Sequence, residues 1–129
     1  MDIVIDFDGT CVTHEFPAIG KEIGATPVLR ELVDAGHRLI LFTIRSNDKR
    51  KNNHTLDEAV KWFHEREIPL YGIQIHPEQC LWTLSPKAYG DLYIDDAAIG
   101  CPLIISESDE RPYVDWKTVR KLLEEKGLL

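Results

Sequence analysis

The sequence has few cysteines, no long apolar stretch and fewer basic than acidic residues, and each shortage excludes a class of protein. Its 3 cysteines are odd in number and show no C-x-x-C spacing, which argues against a disulfide framework and against a zinc site. No apolar run approaches the roughly 20 residues that a membrane-spanning helix requires. The 15 lysines and arginines stand against 22 acidic residues, giving a net charge of -7, so general nucleic-acid binding is not expected.

The rest of the composition is typical of a globular protein. The chain has 129 residues, of which 43% are hydrophobic and 29% charged, and this length suits one domain with a substantial core. We therefore expect a single domain over residues 1–129. The chain opens with Met1-Asp2 and lacks the basic start of a signal peptide, which together with the cysteine usage predicts a cytoplasmic location.

Apolar stretches alternate with helical patterns along the chain, which favours an α/β fold. Buried strands are predicted over residues 3–7, 39–44, 71–75, 91–94 and 102–105. Helices are predicted to begin near Thr26, Thr55 and Asp115, which are residue types that cap helix N-termini. The alternation predicts a parallel sheet with right-handed crossovers and helices on both faces.

The first predicted strand ends in a pair of carboxylates. Residues 3–10 read IVIDFDGT, so Asp6 and Asp8 are spaced i, i+2 and fall on the same face of an extended chain. Two like charges this close repel unless something compensates them, and a hard divalent cation such as Mg²⁺ is the usual compensation. From these residues alone, an Asp-rich turn at the end of a strand remains an equal alternative.

Further polar residues follow or precede other predicted strands. Thr43 ends the second strand, Lys87 precedes the fourth, and Asp95 and Asp96 end the fourth. Taken singly, such residues are more often turn formers or solvated charges. Because the chemistry of parallel sheets gathers beyond the carboxyl ends of the strands, their joint placement predicts one functional site.

Phosphoryl transfer is the chemistry that uses this set of groups. An aspartate can attack phosphorus, and a second carboxyl can donate a proton to the leaving oxygen and later activate water. A divalent ion, a lysine and a hydroxyl can neutralise and hold the phosphoryl oxygens.

These residues resemble, in order and in strand context, the four motifs of the haloacid dehalogenase (HAD) superfamily of phosphotransferases. The matching elements are Asp6-x-Asp8-Gly-Thr, Thr43, Lys87 and Asp95-Asp96, and the match spans residues 3 to 96. The resemblance implies a three-layer Rossmann-like (HAD-like) fold with a parallel sheet of strand order 5-4-1-2-3, the strands being numbered along the chain. The two insertion points for a cap domain hold only residues 11–25 and 76–86, so no cap domain is expected.

The resemblance also implies a role for each matched residue. Asp6 would be the nucleophile and Asp8 the general acid and base, while Thr43 and Lys87 would bind the phosphate. The implied Mg²⁺ ligands are Asp6, the backbone carbonyl of Asp8, Asp95, and Asp96 either directly or through water. The implied activity is Mg²⁺-dependent hydrolysis of a phosphomonoester through an aspartyl-phosphate intermediate.

Other interpretations stay open from the sequence. A non-catalytic phosphate-binding or scaffold protein on the HAD fold would carry the same motifs, and so would a phosphotransferase that uses an acceptor other than water. A receiver-type signalling domain is disfavoured, because its phospho-acceptor Asp follows the third strand, which here ends in Ile75-His76. The expected partner is a phosphorylated small molecule or a phosphorylated group on a larger molecule. No membrane partner is expected, and a homo-oligomer could complete the site.

Three secondary features could contact a substrate. Arg45 could bind a phosphate or carboxylate with its planar fork, or it could be a surface residue in a turn. His14 lies with Glu15 and Phe16 in the loop predicted over the site. The basic loop over residues 49–54 could steer an anionic substrate or could simply be solvated.

Overall fold

The computed structural model describes residues 1–106, 108 and 110–129. Its strands, in chain order, are β1 (Asp2–Ile5), β2 (Arg38–Leu41), β3 (Asn47–Asp48), β4 (Asn53–His54), β5 (Gly72–Ile73), β6 (Leu92–Ile94), β7 (Leu103–Ile104) and β8 (Tyr113–Val114). Its helices are α1 (Ala25–Asp34), α2 (Thr55–Glu65) and α3 (Trp116–Glu125), with short 3₁₀ turns at Lys49–Lys51 and Gln79–Leu81. Among the described residues, no helix combines the length and the apolar character needed to cross a membrane.

A parallel sheet of 4 strands forms the centre of the α/β fold, in the order β5-β2-β1-β6. Ile3 of β1 pairs with Leu39 of β2 on one side and with Leu92 of β6 on the other. The apolar, β-branched run of β1 suits this central position, because a central strand of such a sheet is covered on both faces. The first four predicted strands therefore lie in the predicted relative order.

The predicted fifth strand does not join this sheet, so the strand order 5-4-1-2-3 is wrong for this chain. Residues 103–104 form β7, which pairs antiparallel with β8 in a separate two-stranded sheet. The physical reason is the length of the connection. Between Ile94 and Leu103 lie 8 residues, whereas a crossover to a parallel neighbour takes about a dozen or more.

All three helices pack against the same face of the sheet. Side chains alternate between the two faces of a strand, and Ile3, Ile5, Leu39 and Leu41 point into the main core. That core also contains buried residues of each helix, namely Val28, Leu29 and Leu32 of α1, Ala59, Trp62 and Phe63 of α2, and Trp116, Val119 and Leu123 of α3.

The opposite face of the sheet is covered by irregular chain instead of the expected helices. Val4 and Ile40 pack there with Ala88, and Phe42 and Tyr71 lie against them. Ala88 belongs to the crossover from β5 to β6, whose one regular element in the described residues is the 3₁₀ turn Gln79–Leu81. The expected three layers are present only when this crossover is counted as the third.

Buried polar side chains fix this crossover in place of helical hydrogen bonds. The side chain of Gln79 donates to the carbonyls of Ser85 (3.0 Å) and Lys87 (2.7 Å) and accepts from the Tyr89 N–H (2.8 Å). His76 Nε2 bonds Asp2 Oδ2 at 2.9 Å near the start of β1. One buried amide therefore organises the segment that carries Lys87.

The loop between β1 and α1 folds back toward the end of β1. Gly9 adopts φ +81°, a conformation that favours glycine, and its N–H donates to the Val12 carbonyl at 2.8 Å. Val12 forms an antiparallel bridge with Glu22. Trp116 Nε1 donates to the Thr10 carbonyl at 2.7 Å, so α3 anchors the same loop.

Candidate active site at the carboxyl end of the sheet

Asp6 lies immediately after β1 and is held from both sides. Its N–H donates to the Ile94 carbonyl at 3.1 Å, which continues the ladder to β6. The hydroxyl of Thr10 donates to Asp6 Oδ2 at 2.8 Å. Burial raises the pKa of Asp6 from 3.8 to about 8, and the neighbouring Asp96 and Asp95 carboxylates add to the rise.

The structure brings three of the predicted metal ligands together. Ligand oxygens of Asp6, Asp95 and Asp96 all lie within 4.8 Å of one another. Three carboxylates on adjacent strands are a donor set that suits Mg²⁺. Burial and the neighbouring carboxylates both disfavour ionised Asp6, and a divalent cation there would stabilise the ionised form. These residues therefore fit the ion that the motifs imply.

Asp96 is fixed by Thr10 and His14. Its N–H donates to Thr10 Oγ1 at 3.0 Å, and its Oδ1 lies 3.2 Å from the same hydroxyl oxygen. His14 Nε2 bonds Asp96 Oδ2 at 2.8 Å. Thr10 is fully buried, and its place in the first motif did not by itself indicate a role. Its fully buried hydroxyl, shared between Asp6 and Asp96, now shows that it orients two carboxylates.

His14 is placed against the carboxylates instead of above an open crevice. Its side chain is 13% exposed, and it packs against Gly9. A Cβ at position 9 would overlap the His14 ring and come within 2.6 Å of Asp96 Oδ2. Glycine at this position is thus required by the contact as well as by the positive φ.

Asp8 is not one of the three clustered carboxylates and pairs with Arg45 instead. Arg45 Nε donates to Asp8 Oδ2 at 2.7 Å and Nη2 donates to Oδ1 at 2.8 Å. Arg45 is 1% exposed, so the alternative of a surface residue in a turn is wrong, and its pairing with Asp8 does not support the other alternative, contact with a substrate. The Asp8 side chain is outside the cluster of possible ligands, and the metal contact assigned to its backbone carbonyl stays a prediction.

Thr43 lies two residues beyond the end of β2, on the same edge of the sheet. Gln74 holds its backbone on both sides, accepting from the Thr43 N–H at 2.8 Å and donating to the Thr43 carbonyl at 2.7 Å. Thr43 Oγ1 accepts from the Arg45 N–H at 3.1 Å. The hydroxyl hydrogen therefore points elsewhere, as donation to a phosphate would require.

Lys87 is exposed, and its ammonium lies 5.8 Å from the centre of the Tyr93 ring. Tyr93 pairs with Val4 in the sheet, two residues before Asp95. Among the described residues, no hydrogen bond or ion pair joins Lys87 Nζ to a site carboxylate, so its phosphate contact stays a prediction.

The basic loop is a hairpin of β3 and β4 that leaves the same edge of the sheet. Asp48 caps its 3₁₀ turn by accepting from the Arg50 N–H at 3.0 Å, and it also pairs with the Arg50 side chain. Lys49 and Lys51 are exposed. The hairpin therefore exposes two cations on a segment that follows β2, and their contact with an anionic substrate stays a prediction.

Comparison with known proteins gives the fold relationship and no activity. The chain is similar to a solved structure described as a conserved protein from Bacteroides thetaiotaomicron. The two are 35% identical with a TM-score of 0.75, and the similarity covers 98% of this chain and 91% of that chain. The chain belongs to the family of that conserved protein. No protein-family model matches the chain, and no curated protein does.

Proposed function

We propose that this protein is a Mg²⁺-dependent phosphomonoester hydrolase of the HAD type that acts through an aspartyl-phosphate intermediate. The observation that carries the proposal is the cluster of Asp6, Asp95 and Asp96 within 4.8 Å. It lies at the carboxyl end of adjacent parallel strands, and Asp8 follows Asp6 by two residues. This is the edge of a parallel sheet where ligands bind.

In the first half of the proposed reaction, a carboxylate oxygen of Asp6 attacks phosphorus and the bond to the leaving oxygen breaks. Asp8 gives its proton to that oxygen, so an alcohol departs and Asp6 carries an acyl phosphate. In the second half, Asp8 takes a proton from water, whose oxygen attacks phosphorus. The bond between phosphorus and Asp6 breaks, and phosphate leaves. Asp6 is then a free carboxylate and Asp8 again carries a proton, so both are ready for another cycle.

The groups around Asp6 support these steps. Mg²⁺, when bound, would supply the positive charge that lets an anionic nucleophile approach an anionic phosphate. Thr10 and His14 hold Asp96, and Thr10 also holds Asp6, so these carboxylates need little reorganisation to act as ligands. Thr43 has a hydroxyl hydrogen to donate to a phosphoryl oxygen.

The substrate we propose is a phosphorylated small molecule or a phosphorylated group on a larger molecule. His14 and Arg45 are both engaged by site carboxylates, so neither is left to recognise the rest of a substrate. Discrimination needs contacts that differ between substrates. We therefore expect weak selectivity among small phosphate esters when the protein acts as a monomer.

The decisive experiment measures hydrolysis of p-nitrophenyl phosphate with Mg²⁺ and after chelation with EDTA. We expect metal-dependent turnover that Asp6→Asn abolishes, because an amide cannot form the acyl phosphate. Mass spectrometry after incubation with a beryllium fluoride or aluminium fluoride phosphoryl mimic should place the adduct at Asp6. Wild-type turnover by Asp6→Asn would overturn the mechanism, and wild-type protein without turnover on a broad phosphate ester panel would favour the non-catalytic alternative.

A further inference from the structure

We infer that Arg45 is a positioning residue for the proposed reaction: its guanidinium fixes the Asp8 carboxylate and ties it to Pro17 and Ala18, farther along the loop between β1 and α1. The inference rests on the proposed function, because Asp8 acts as general acid and base only in that reaction. The sequence alone leaves two alternatives for Arg45, contact with a substrate or a surface position in a turn. The contacts of its side chain assign it this other task.

The first contact is a two-point ion pair with Asp8. Arg45 Nε and Nη2 each donate to a different Asp8 oxygen, at 2.7 and 2.8 Å. Such a pair fixes the plane of the carboxylate as well as its position. Each oxygen keeps a second lone pair, so Asp8 can still exchange a proton with a leaving group or with water.

The second set of contacts reaches the loop and the start of α2. Arg45 donates to the carbonyls of Pro17 (3.1 Å), Ala18 (2.8 Å) and Thr55 (3.4 Å). Pro17 and Ala18 are exposed, so this buried cation is an anchor beneath the surface of the loop. Asp8 and the loop are thereby held by the same group.

The donors of Arg45 are fully used. A guanidinium has five N–H donors, and Arg45 makes five hydrogen bonds, namely two to Asp8 and one each to Pro17, Ala18 and Thr55. Its side chain is 0% exposed. No donor is left for a substrate, and a lysine, with three donors on a point charge, could not replace the planar fork.

Arg45→Lys is the informative variant because it keeps the charge and loses the fork. For an alkyl phosphate, whose leaving group needs a proton, we expect kcat to fall about 10²-fold through misplacement of Asp8. KM should change little, because Arg45 does not touch the substrate. For p-nitrophenyl phosphate the fall should be much smaller, since its leaving group departs without full protonation. Arg30→Lys, which changes an exposed arginine, is the matched control and should behave as wild type.

A double-mutant cycle separates positioning from a general structural role. In an Asp8→Asn background, Arg45→Lys should cost no further activity toward the alkyl phosphate. An equal fold-loss in both backgrounds, or equal losses for good and poor leaving groups, would overturn the inference. A rise in KM at unchanged kcat would also overturn it, because it would indicate that Arg45 binds the substrate.

A measurement on the unmodified side chain covers the case in which Arg45→Lys does not fold. In ¹⁵N NMR spectra of the wild type, the Arg45 Nε–H should exchange slowly with water, and Asp8→Asn should shift its resonance and speed its exchange. Wild-type turnover together with a freely exchanging Arg45 Nε–H would overturn this inference alone. Wild-type protein without turnover would overturn the proposed function and this inference with it.

Discussion

Asp6→Asn should stabilise the metal-free protein while it abolishes turnover. Burial is the main cause that raises the pKa of Asp6 from 3.8 to about 8, with contributions from Asp96 and Asp95, and the Thr10 hydrogen bond opposes the rise only in part. Ionised Asp6 is therefore unfavourable in the folded protein without a cation. Asparagine has nearly the same shape and no charge, so it removes this penalty.

The sign of the pH dependence follows from the direction of the shift. A carboxyl whose pKa is raised by folding does not lower the free energy of unfolding at a pH below its unfolded pKa, here 3.8. At such a pH it is protonated in both the folded and the unfolded state. The cost grows as the pH rises and is complete above about 8. At about 1.4 kcal/mol for each pKa unit the upper limit is about 6 kcal/mol. We expect only a few kcal/mol after relaxation and water penetration.

Thermal unfolding in EDTA, followed by circular dichroism from pH 5 to pH 8, measures this effect. Since about 1 kcal/mol shifts the Tm of a domain of this size by about 4 °C, Asp6→Asn should melt roughly 8–12 °C above wild type at pH 8 and show a smaller gain at pH 5. Asp34→Asn, at the exposed end of α1, is the control and should track wild type. A gain for Asp6→Asn that does not depend on pH would refute the reasoning.

Three further predictions concern neighbouring residues. Asp8→Asn should slow turnover of alkyl phosphates roughly 10²–10⁴-fold, and steady-state kinetics should show a smaller loss for p-nitrophenyl phosphate; equal losses would count against an acid and base role. Asp95→Ala should weaken Mg²⁺ binding in a calorimetric titration, and an unchanged affinity would remove Asp95 from the ligand set. Gly9→Ala should destabilise the protein by at least about 1 kcal/mol in urea unfolding, because the position has positive φ and no room beside His14; wild-type stability would show that the loop yields easily.

The sequence predicted the sheet well where local pattern and topology agree. Short apolar runs at residues 3–7 and 39–44 identified central strands, and the polar residues that follow them lie at one edge of the sheet. The run at 102–105 has the same apolar character, but its connection to β6 is too short for a parallel neighbour. The 8 residues between Ile94 and Leu103 are a property of the sequence, so this departure from the parallel order is encoded in the length of the connection.

The contacts within the site were harder to predict, because they depend on long-range packing. Nothing in the local sequence distinguishes an exposed Arg45 from a buried one, since its partners Asp8 and Ala18 come from a loop 27 or more residues away. The same holds for Thr10, whose hydroxyl meets Asp96 across 86 positions. Thr10 belongs to the first motif and Arg45 follows the motif residue Thr43 by two positions, but only the fold shows which carboxylates they hold.

The balance of charge at this edge of the sheet explains why the two carboxylates of the first motif behave differently. Arg45 compensates Asp8 in the folded chain itself. In the part of the chain that the structure describes, no lysine or arginine forms an ion pair with Asp6, Asp95 or Asp96, and His14 is the one ionisable base that contacts Asp96. Three clustered carboxylates without a basic partner are costly to keep ionised. Asp8 is thus fixed by the protein, whereas in the function we propose the Asp6 cluster takes its compensating charge from a bound cation, and this difference is what our Asp6 and Asp95 experiments measure.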